Sequence, residues 1–138
     1  MRPSIDTAPV RFRPSARNLM VTDAFALVAF VVTGAASHHD AGFLAVLARN
    51  LVPIGLMWVV VALGIGTYRR RSWAALVLTW AIAVPLGLFG RSWIFGLERD
   101  NDLLAFLLVG TAFSLLYLLV ARASLLAVSR RRARALPA

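Results

Sequence analysis

The sequence predicts an all-α integral membrane protein, a four-helix bundle with both termini in the cytoplasm. Three observations support this class. The chain is 60% hydrophobic and only 15% charged, whereas a soluble domain is about 25% charged. Four stretches of 20, 19, 19 and 19 residues hold a single formal charge between them. The arginines, finally, gather on alternate connections between these stretches, which is typical of connections that share one side of a membrane.

The four predicted spans cover residues 18–37, 50–68, 72–90 and 103–121. Each is close to the roughly 20 apolar residues with which a helix crosses about 30 Å of hydrocarbon. Because lipid offers no partner to backbone polar groups, each span must satisfy its own groups as a helix. The spans form one transmembrane domain, residues 18–122, between a flexible basic arm, residues 1–17, and a basic tail, residues 123–138.

The placement of arginine predicts the orientation of the bundle. The first flank, the loop 69–71 and the last flank carry twelve of the 15 basic residues, all of them arginine. The opposite side carries only Arg49, Arg91 and Arg99. Because positively charged connections stay in the cytoplasm, we expect a multi-pass protein of the cytoplasmic membrane with Tyr68 anchored at the inner interface.

Asp23 is the one formal charge inside a predicted span. It lies about 8 Å past the start of that span. A charge costs roughly 2.5–3.5 kcal/mol at mid-span, so such a residue is a functional-site candidate by default. Arg122, at the inner end of span four, is the expected partner, with Thr79 or Tyr117 as further donors. The carboxylate either locks helices one and four together or couples proton or cation transport.

Two short segments echo each other in the second and third spans. Val-Pro-Ile-Gly-Leu begins at Val52, and Val-Pro-Leu-Gly-Leu begins at Val84. A proline inside a helix removes one backbone hydrogen bond. Paired breaks at similar depth predict either ordinary kinks or an outward vestibule, as broken helices form in transporters. The candidate kink residues are Pro53, Gly55, Pro85 and Gly87.

Small and aromatic residues predict how the helices pack. Rows of small residues four apart, such as Ala29 and Thr33, permit close helix approach within the bundle or in a homodimer. Trp58 and Trp80 each occupy the ninth position of a 19-residue span. Because these two spans are antiparallel neighbours, the two rings are expected to meet near the midplane, as a packing contact or a binding platform.

The outer connections gather several polar residues. His38 begins a His-His-Asp run, but neighbours in one loop rarely converge on a metal ion, so a solvated loop is the expectation. Arg49 and Arg91 flank spans two and three on the same side. They either hold an anionic head group or extend their side chains to the interface.

Composition excludes several classes of function. The chain has no Cys, which excludes a thiolate nucleophile and Cys-ligated metals. Its net charge of +9 lies on the flanks of the spans, which favours anionic lipid at the cytoplasmic face over nucleic acid as the partner. No catalytic triad, phosphate-binding glycine loop or zinc protease motif is present. We therefore expect no enzyme, no cofactor and no metal site.

Several short motifs resemble one known family over residues 20–122. The early acid Asp23 and the closing Arg122 are similar to family positions, as is the stretch from Pro53 to Trp58. Two further segments share the likeness: Gly34-Ala35-Ala36-Ser37-His38 and Gly87 through Arg91. Together they resemble the small four-span prokaryotic membrane proteins of domain-of-unknown-function family three-zero-five-four.

The chain departs from this family pattern at three positions. Ala35 and Ala36 stand where the family has two arginines, and Ile54 stands where it has Phe, so any role of the arginine pair does not carry over. The resemblance implies the four-span topology and points to Asp23 and Arg122, together with His38 and Arg91, but it implies no reaction.

Two classes of function remain open from the sequence. The first is a non-catalytic structural, assembly or interaction subunit of a membrane. The alternative is a small dimeric transporter, coupled to protons or cations through Asp23.

Overall fold

The computed structural model describes residues 14–36, 42–96 and 101–135, with the side chains of residues 101, 102, 133 and 135 outside that description. It contains five helices: α1, Ala16–Ala36; α2, Phe43–Ile65; α3, Thr67–Arg70; α4, Trp73–Phe95; and α5, Asn101–Ala135. All but α3 are long and apolar enough to cross a membrane, and the described ranges contain no strand. The predicted all-α, four-helix membrane bundle is therefore confirmed, while its orientation stays a prediction.

The helices extend beyond the predicted spans at several ends. α2 begins at Phe43 rather than at residue 50, and α4 continues to Phe95 rather than stopping at residue 90. α5 runs through most of the predicted tail, as far as Ala135. Its last three turns, residues 125–135, consist mostly of Leu, Ala and Arg, which are good helix formers, and no Gly or Pro interrupts them. α5 is consequently about 50 Å long, well over the thickness of the hydrocarbon core.

The connection between α2 and α4 is fixed by its own backbone. Gly66 ends α2 with φ at 71°, a left-handed conformation that glycine adopts without steric cost. After one helical turn, α3, Arg71 is again left-handed with φ at 50°. Ser72 then caps α4 by accepting a hydrogen bond from the N–H of Ala75 at 3.1 Å. This rigid turn holds the side chains of α3 under the end of the bundle.

The long helices pack as two antiparallel pairs. α2 approaches α4 most closely where Gly87 faces Ile54, since a Cβ atom at Gly87 would lie 2.7 Å from the Cα of Ile54. α1 packs along α5, where the rings of Phe30 and Tyr117 meet edge to face with centroids 6.2 Å apart. The pairs join through Trp80 of α4, whose indole donates to the carbonyl of Thr111 in α5 at 3.0 Å.

The bundle buries small and apolar side chains and exposes large apolar ones. Leu76, Val84 and Leu118 are fully buried in its core. Large apolar side chains such as Phe25 and Leu63 are exposed on the outside, at 70% and 72%. A soluble protein seldom tolerates this outside surface, whereas lipid tails are as apolar as Leu. The fold is that of a multi-pass membrane protein.

Candidate functional site

An ion pair between the first and last helices forms the centre of a buried polar cluster. The Nε atom of Arg122 donates to Oδ1 of Asp23 at 2.7 Å, and Nη2 donates to Oδ2 at 2.6 Å. Asp23 is 0% exposed and Arg122 is 3% exposed. The planar guanidinium matches the carboxylate in this two-bond geometry, which makes the contact directional as well as strong. The pair fixes the register of α1 against α5.

Tyr68 of α3 is the second neighbour of the Asp23 carboxylate. Its hydroxyl accepts a hydrogen bond from the indole Nε1 of Trp58 at 2.9 Å. Burial, together with the nearby charge of Asp23, raises the pKa of Tyr68 to about 12. The phenol therefore keeps its proton at physiological pH and stays able to donate toward the carboxylate.

A threonine pair connects the α2–α4 turn to the same region. The hydroxyls of Thr67 and Thr79 are hydrogen-bonded to each other, and both side chains are fully buried. Thr79 also donates to the carbonyl of Ala75 at 2.8 Å, so Thr67 is the donor within the pair. The threonines thus hold α3 against α4 while Tyr68 faces Asp23.

The predicted further donors to Asp23 lie elsewhere. Thr79 bonds to Thr67 and to its own helix, as described above. Tyr117 donates to the hydroxyl of Thr33 at 2.8 Å, and Thr33 lies about 15 Å along α1 from Asp23. The expected contact between Trp58 and Trp80 is likewise replaced by separate partners, Tyr68 for the first indole and α5 for the second. Each indole N–H is thus satisfied by a partner of its own.

The cluster as a whole draws its polar side chains from all five helices. Its two formal charges cancel, and each carboxylate oxygen of Asp23 has an arginine donor. In the part of the chain that the structure describes, no group of three or more His, Cys, Asp or Glu residues converges on a point that could hold a metal ion. This arrangement holds the helices in place around two opposite charges that neutralise each other.

Comparison with known proteins places the chain in a family. A family model described as protein of unknown function, DUF3054, matches residues 20–125 of the 138. The chain belongs to this family. No curated protein and no solved structure matches it. Both members of the Asp23–Arg122 pair lie within the matched DUF3054 residues, as do all four membrane-spanning helices in whole or in large part.

The arginines at the opposite end of this DUF3054 chain's bundle are arranged differently from the Asp23–Arg122 pair. The guanidinium of Arg91 lies 4.4 Å from the centre of the Phe106 ring, and the side chain is 7% exposed. This cation–π contact places the buried guanidinium of Arg91 between α4 and α5. Arg49 is half-buried, and within the described ranges its Nε atom makes no hydrogen bond. His38 lies outside the described residues.

The two proline segments lie where α2 and α4 pack together. Both helices continue without interruption through Pro53 and Pro85. Gly87 provides the close approach to Ile54, whereas a Cβ atom at Gly55 would meet nothing within 4 Å. The absence of a side chain at Gly87 therefore has a packing reason, and Gly55 has none of that kind.

A long apolar groove runs along the outside of the bundle where α1 packs against α5. It encloses about 1360 Å³ and extends along α5 from Ala105 to Val128. Its floor includes small residues such as Ala29 and Gly110, and its walls include Phe113 and the ring of Tyr117. Those 24 positions correspond to about 35 Å of helix, so the groove crosses the whole hydrocarbon thickness.

The sequence did not predict that Thr67, Tyr68 and Thr79 connect the α2–α4 turn to the region of the ion pair. Tyr68 was expected only as an interface anchor. The signal that could have found it is Gly66, because a helix-ending glycine followed by Thr and Tyr redirects those side chains back under the bundle.

Proposed function

We propose that this DUF3054 protein is a non-catalytic structural, assembly or interaction subunit of the cytoplasmic membrane. The observation that carries the proposal is the buried two-bond pair of Asp23 and Arg122. A coupling carboxylate has to gain and lose a proton or cation during a cycle. A carboxylate held on both oxygens by an arginine and bordered by Tyr68 is better suited to keeping one arrangement of helices.

The orientation part of the proposal rests on charge. Arg69, Arg70 and Arg71 connect α2 to α4 at the end of the bundle where α1 begins and α5 finishes. Under the positive-inside rule this end faces the cytoplasm. The proposed subunit therefore exposes its arginine-rich face and the end of α5 to the cytoplasm.

Proton- or cation-coupled transport through Asp23 is the second candidate. It is favoured by the full burial of an acidic side chain in a membrane helix, which is costly and commonly functional. In that mechanism Arg122 would release the carboxylate during each cycle, as charge pairs do in proton relays. Four short helices rarely enclose a pathway alone, so this candidate requires a dimer.

The test is a flux measurement combined with a stability measurement on the same preparations. Wild type, Asp23→Asn and empty liposomes are compared for proton and sodium flux with pH- and sodium-sensitive dyes. The proposal predicts that wild-type flux equals that of empty liposomes, while Asp23→Asn lowers the unfolding midpoint. Flux that wild type supports and Asp23→Asn abolishes, with the variant still folded, would replace the proposal by the transporter.

A further inference from the structure

Three exposed arginines lie at one end of the α1–α5 groove. Arg17 precedes the groove on α1, and Arg131 and Arg132 follow it on α5; all three side chains are exposed. Asp23 is the only carboxylate with a described side chain, and Arg122 already occupies it. The apolar groove thus ends at a cluster of arginines that have no acidic partner within the described part of the chain.

Helical periodicity places Arg131 and Arg132 on the face of α5 that lines the groove. Residues three, four or seven positions apart share one face of a helix. Val128 and Ser124 line the groove and lie three and seven residues before Arg131. Val128 and Leu125 stand four and seven residues before Arg132. Both guanidinium groups therefore continue the wall of the groove beyond its apolar part.

Arg17 completes the cluster from the other wall. It lies four residues before Val21, which begins a groove-lining row continued by Phe25 and Ala29. Because α1 and α5 are antiparallel with Asp23 opposite Arg122, the start of α1 and the end of α5 lie at the same end of the groove. Arg17 lies about 9 Å along α1 from Asp23, and Arg131 about 13 Å along α5 from Arg122.

We propose that this groove binds an anionic phospholipid of the arginine-side leaflet, with its acyl chains between α1 and α5 and its phosphate among Arg17, Arg131 and Arg132. The groove of about 1360 Å³ exceeds the 300–1,000 Å³ of ordinary ligand pockets and is lined almost wholly by apolar side chains. Acyl chains match such a lining, and arginine pairs with phosphate through two parallel hydrogen bonds.

Charge decides between a lipid and a second copy of the chain. Two copies docked in the same membrane orientation would bring their arginine-rich ends together, and like charges placed side by side oppose association. A phospholipid phosphate instead neutralises the cluster. The site goes beyond the proposed function, because a lipid fills the groove whether the bundle serves as a subunit or as a transporter.

The head-group arm of the test compares two charge-matched double variants of the full chain. Arg131→Gln with Arg132→Gln removes two groove-side arginines, and Arg69→Gln with Arg70→Gln removes two exposed arginines on α3 at the same end. Native mass spectrometry from detergent then measures binding of dioleoyl phosphatidylglycerol and of dioleoyl phosphatidylcholine. Each arginine near an anionic lipid contributes about fivefold in affinity, so the groove-side pair should lose about 25-fold for phosphatidylglycerol.

The acyl-chain arm compares two Ala→Phe substitutions on α1. Ala29 lines the groove, whereas Ala24 is exposed and does not line it. Ala29→Phe should displace the chains and abolish retention of phosphatidylglycerol, and Ala24→Phe should retain it. Thermal unfolding of both variants shows whether they fold, and the arginine arm stays decisive if Ala29→Phe does not.

Three outcomes would overturn the proposal. Equal losses from the two arginine pairs would mean diffuse attraction to a charged surface. Equal binding of the two lipids by wild type would mean that no anionic head group is recognised. A protein dimer that Ala29→Phe dissociates, with no lipid retained, would mean that a second copy occupies the groove.

Discussion

Removing one member of the Asp23–Arg122 pair should destabilise the bundle far more than removing both. In Asp23→Leu, the guanidinium of Arg122 remains 3% exposed with no carboxylate to accept its hydrogen bonds. In Arg122→Leu, a fully buried carboxylate loses both of its arginine donors. The double variant leaves no charge behind. The expected pattern is therefore strong loss in each single variant and recovery in the double.

The magnitude follows from the two hydrogen bonds and the burial. Each charge-assisted bond contributes about 1.5–3 kcal/mol, and breaking a buried pair from one side costs about 3–5 kcal/mol. Replacing both residues by apolar ones is often neutral or better. The hydroxyl of Tyr68 would then lack its acidic neighbour, so the double variant should retain a loss of about 1 kcal/mol. With a loss of about 3–5 kcal/mol in each single variant and about 1 kcal/mol in the double, the coupling energy between the two positions should be at least about 5 kcal/mol.

Reversible unfolding in mixed micelles, followed by tryptophan fluorescence, measures these differences. Arg130→Leu serves as the matched control, because Arg130 lies on the same helix, is exposed and should change stability by less than about 0.5 kcal/mol. Additive losses of stability in the double variant, with no recovery, would show that Asp23 and Arg122 do not stabilise each other as a pair. So would a neutral Arg122→Leu, because a buried carboxylate without its partner cannot be neutral in cost.

Three further predictions concern packing and hydrogen bonds elsewhere in the bundle. Gly87→Ala should cost about 1–3 kcal/mol in unfolding free energy, because its Cβ atom would lie 2.7 Å from the Cα of Ile54, whereas Gly55→Ala should leave stability unchanged or raised. Trp80→Phe should cost about 1 kcal/mol by removing its bonds to α5, at 3.0 and 3.1 Å. The pKa of Tyr68 is raised from 10.0 to about 12, so its contribution to stability is present below pH 10 and is lost as pH rises toward 12; Tyr68→Phe should remove that alkaline loss.

Controls for these predictions come from the same chain. Trp93→Phe, at a position 79% exposed, should leave the unfolding midpoint unchanged where Trp80→Phe lowers it. Ultraviolet absorbance of ionised tyrosine, compared between wild type and Tyr68→Phe, locates the titration of that phenol. Equal losses of stability in Gly87→Ala and Gly55→Ala would contradict the close packing at Gly87. A loss of stability at alkaline pH that persists in Tyr68→Phe would contradict the raised pKa of Tyr68.

The fold was predictable because lipid imposes simple demands on a sequence. Four apolar stretches of about 20 residues, with one formal charge among them, require four helices, because each stretch must satisfy its own backbone groups in lipid. The ends were less predictable. Hydropathy detects the apolar part of a helix, but α5 continues to Ala135 through arginines that favour helix without being apolar. Gly66, which ends α2, lies inside the stretch predicted as span two, because glycine is also common within membrane helices.

The ion pair was predictable and its surroundings were not. Asp23 stood out because a charge within a span needs a partner, and Arg122 was the cation at the inner end of span four. The position of α3 beside the ion pair depends on Gly66 and Arg71. Their left-handed backbone conformations change the direction of the chain at the two ends of this short helix. Such geometry leaves little trace in hydropathy. The sequence therefore predicted Tyr68 only as an interface anchor and Thr79 only as a possible donor to Asp23.

The most direct test of the account is whether the bundle keeps one arrangement while Asp23 and Arg122 stay paired. The chain has no Cys, so spin labels can be placed at Leu63 on α2 and Val120 on α5, which are 72% and 57% exposed. Pulsed electron resonance in lipid nanodiscs then gives the distance between the two helix pairs from pH 5 to 9, with and without sodium. A bundle that keeps one arrangement should give one narrow distance distribution under all these conditions, and Arg122→Leu should broaden that distribution. Two populations that exchange with pH or sodium would contradict it and would identify a bundle that moves as a transporter does.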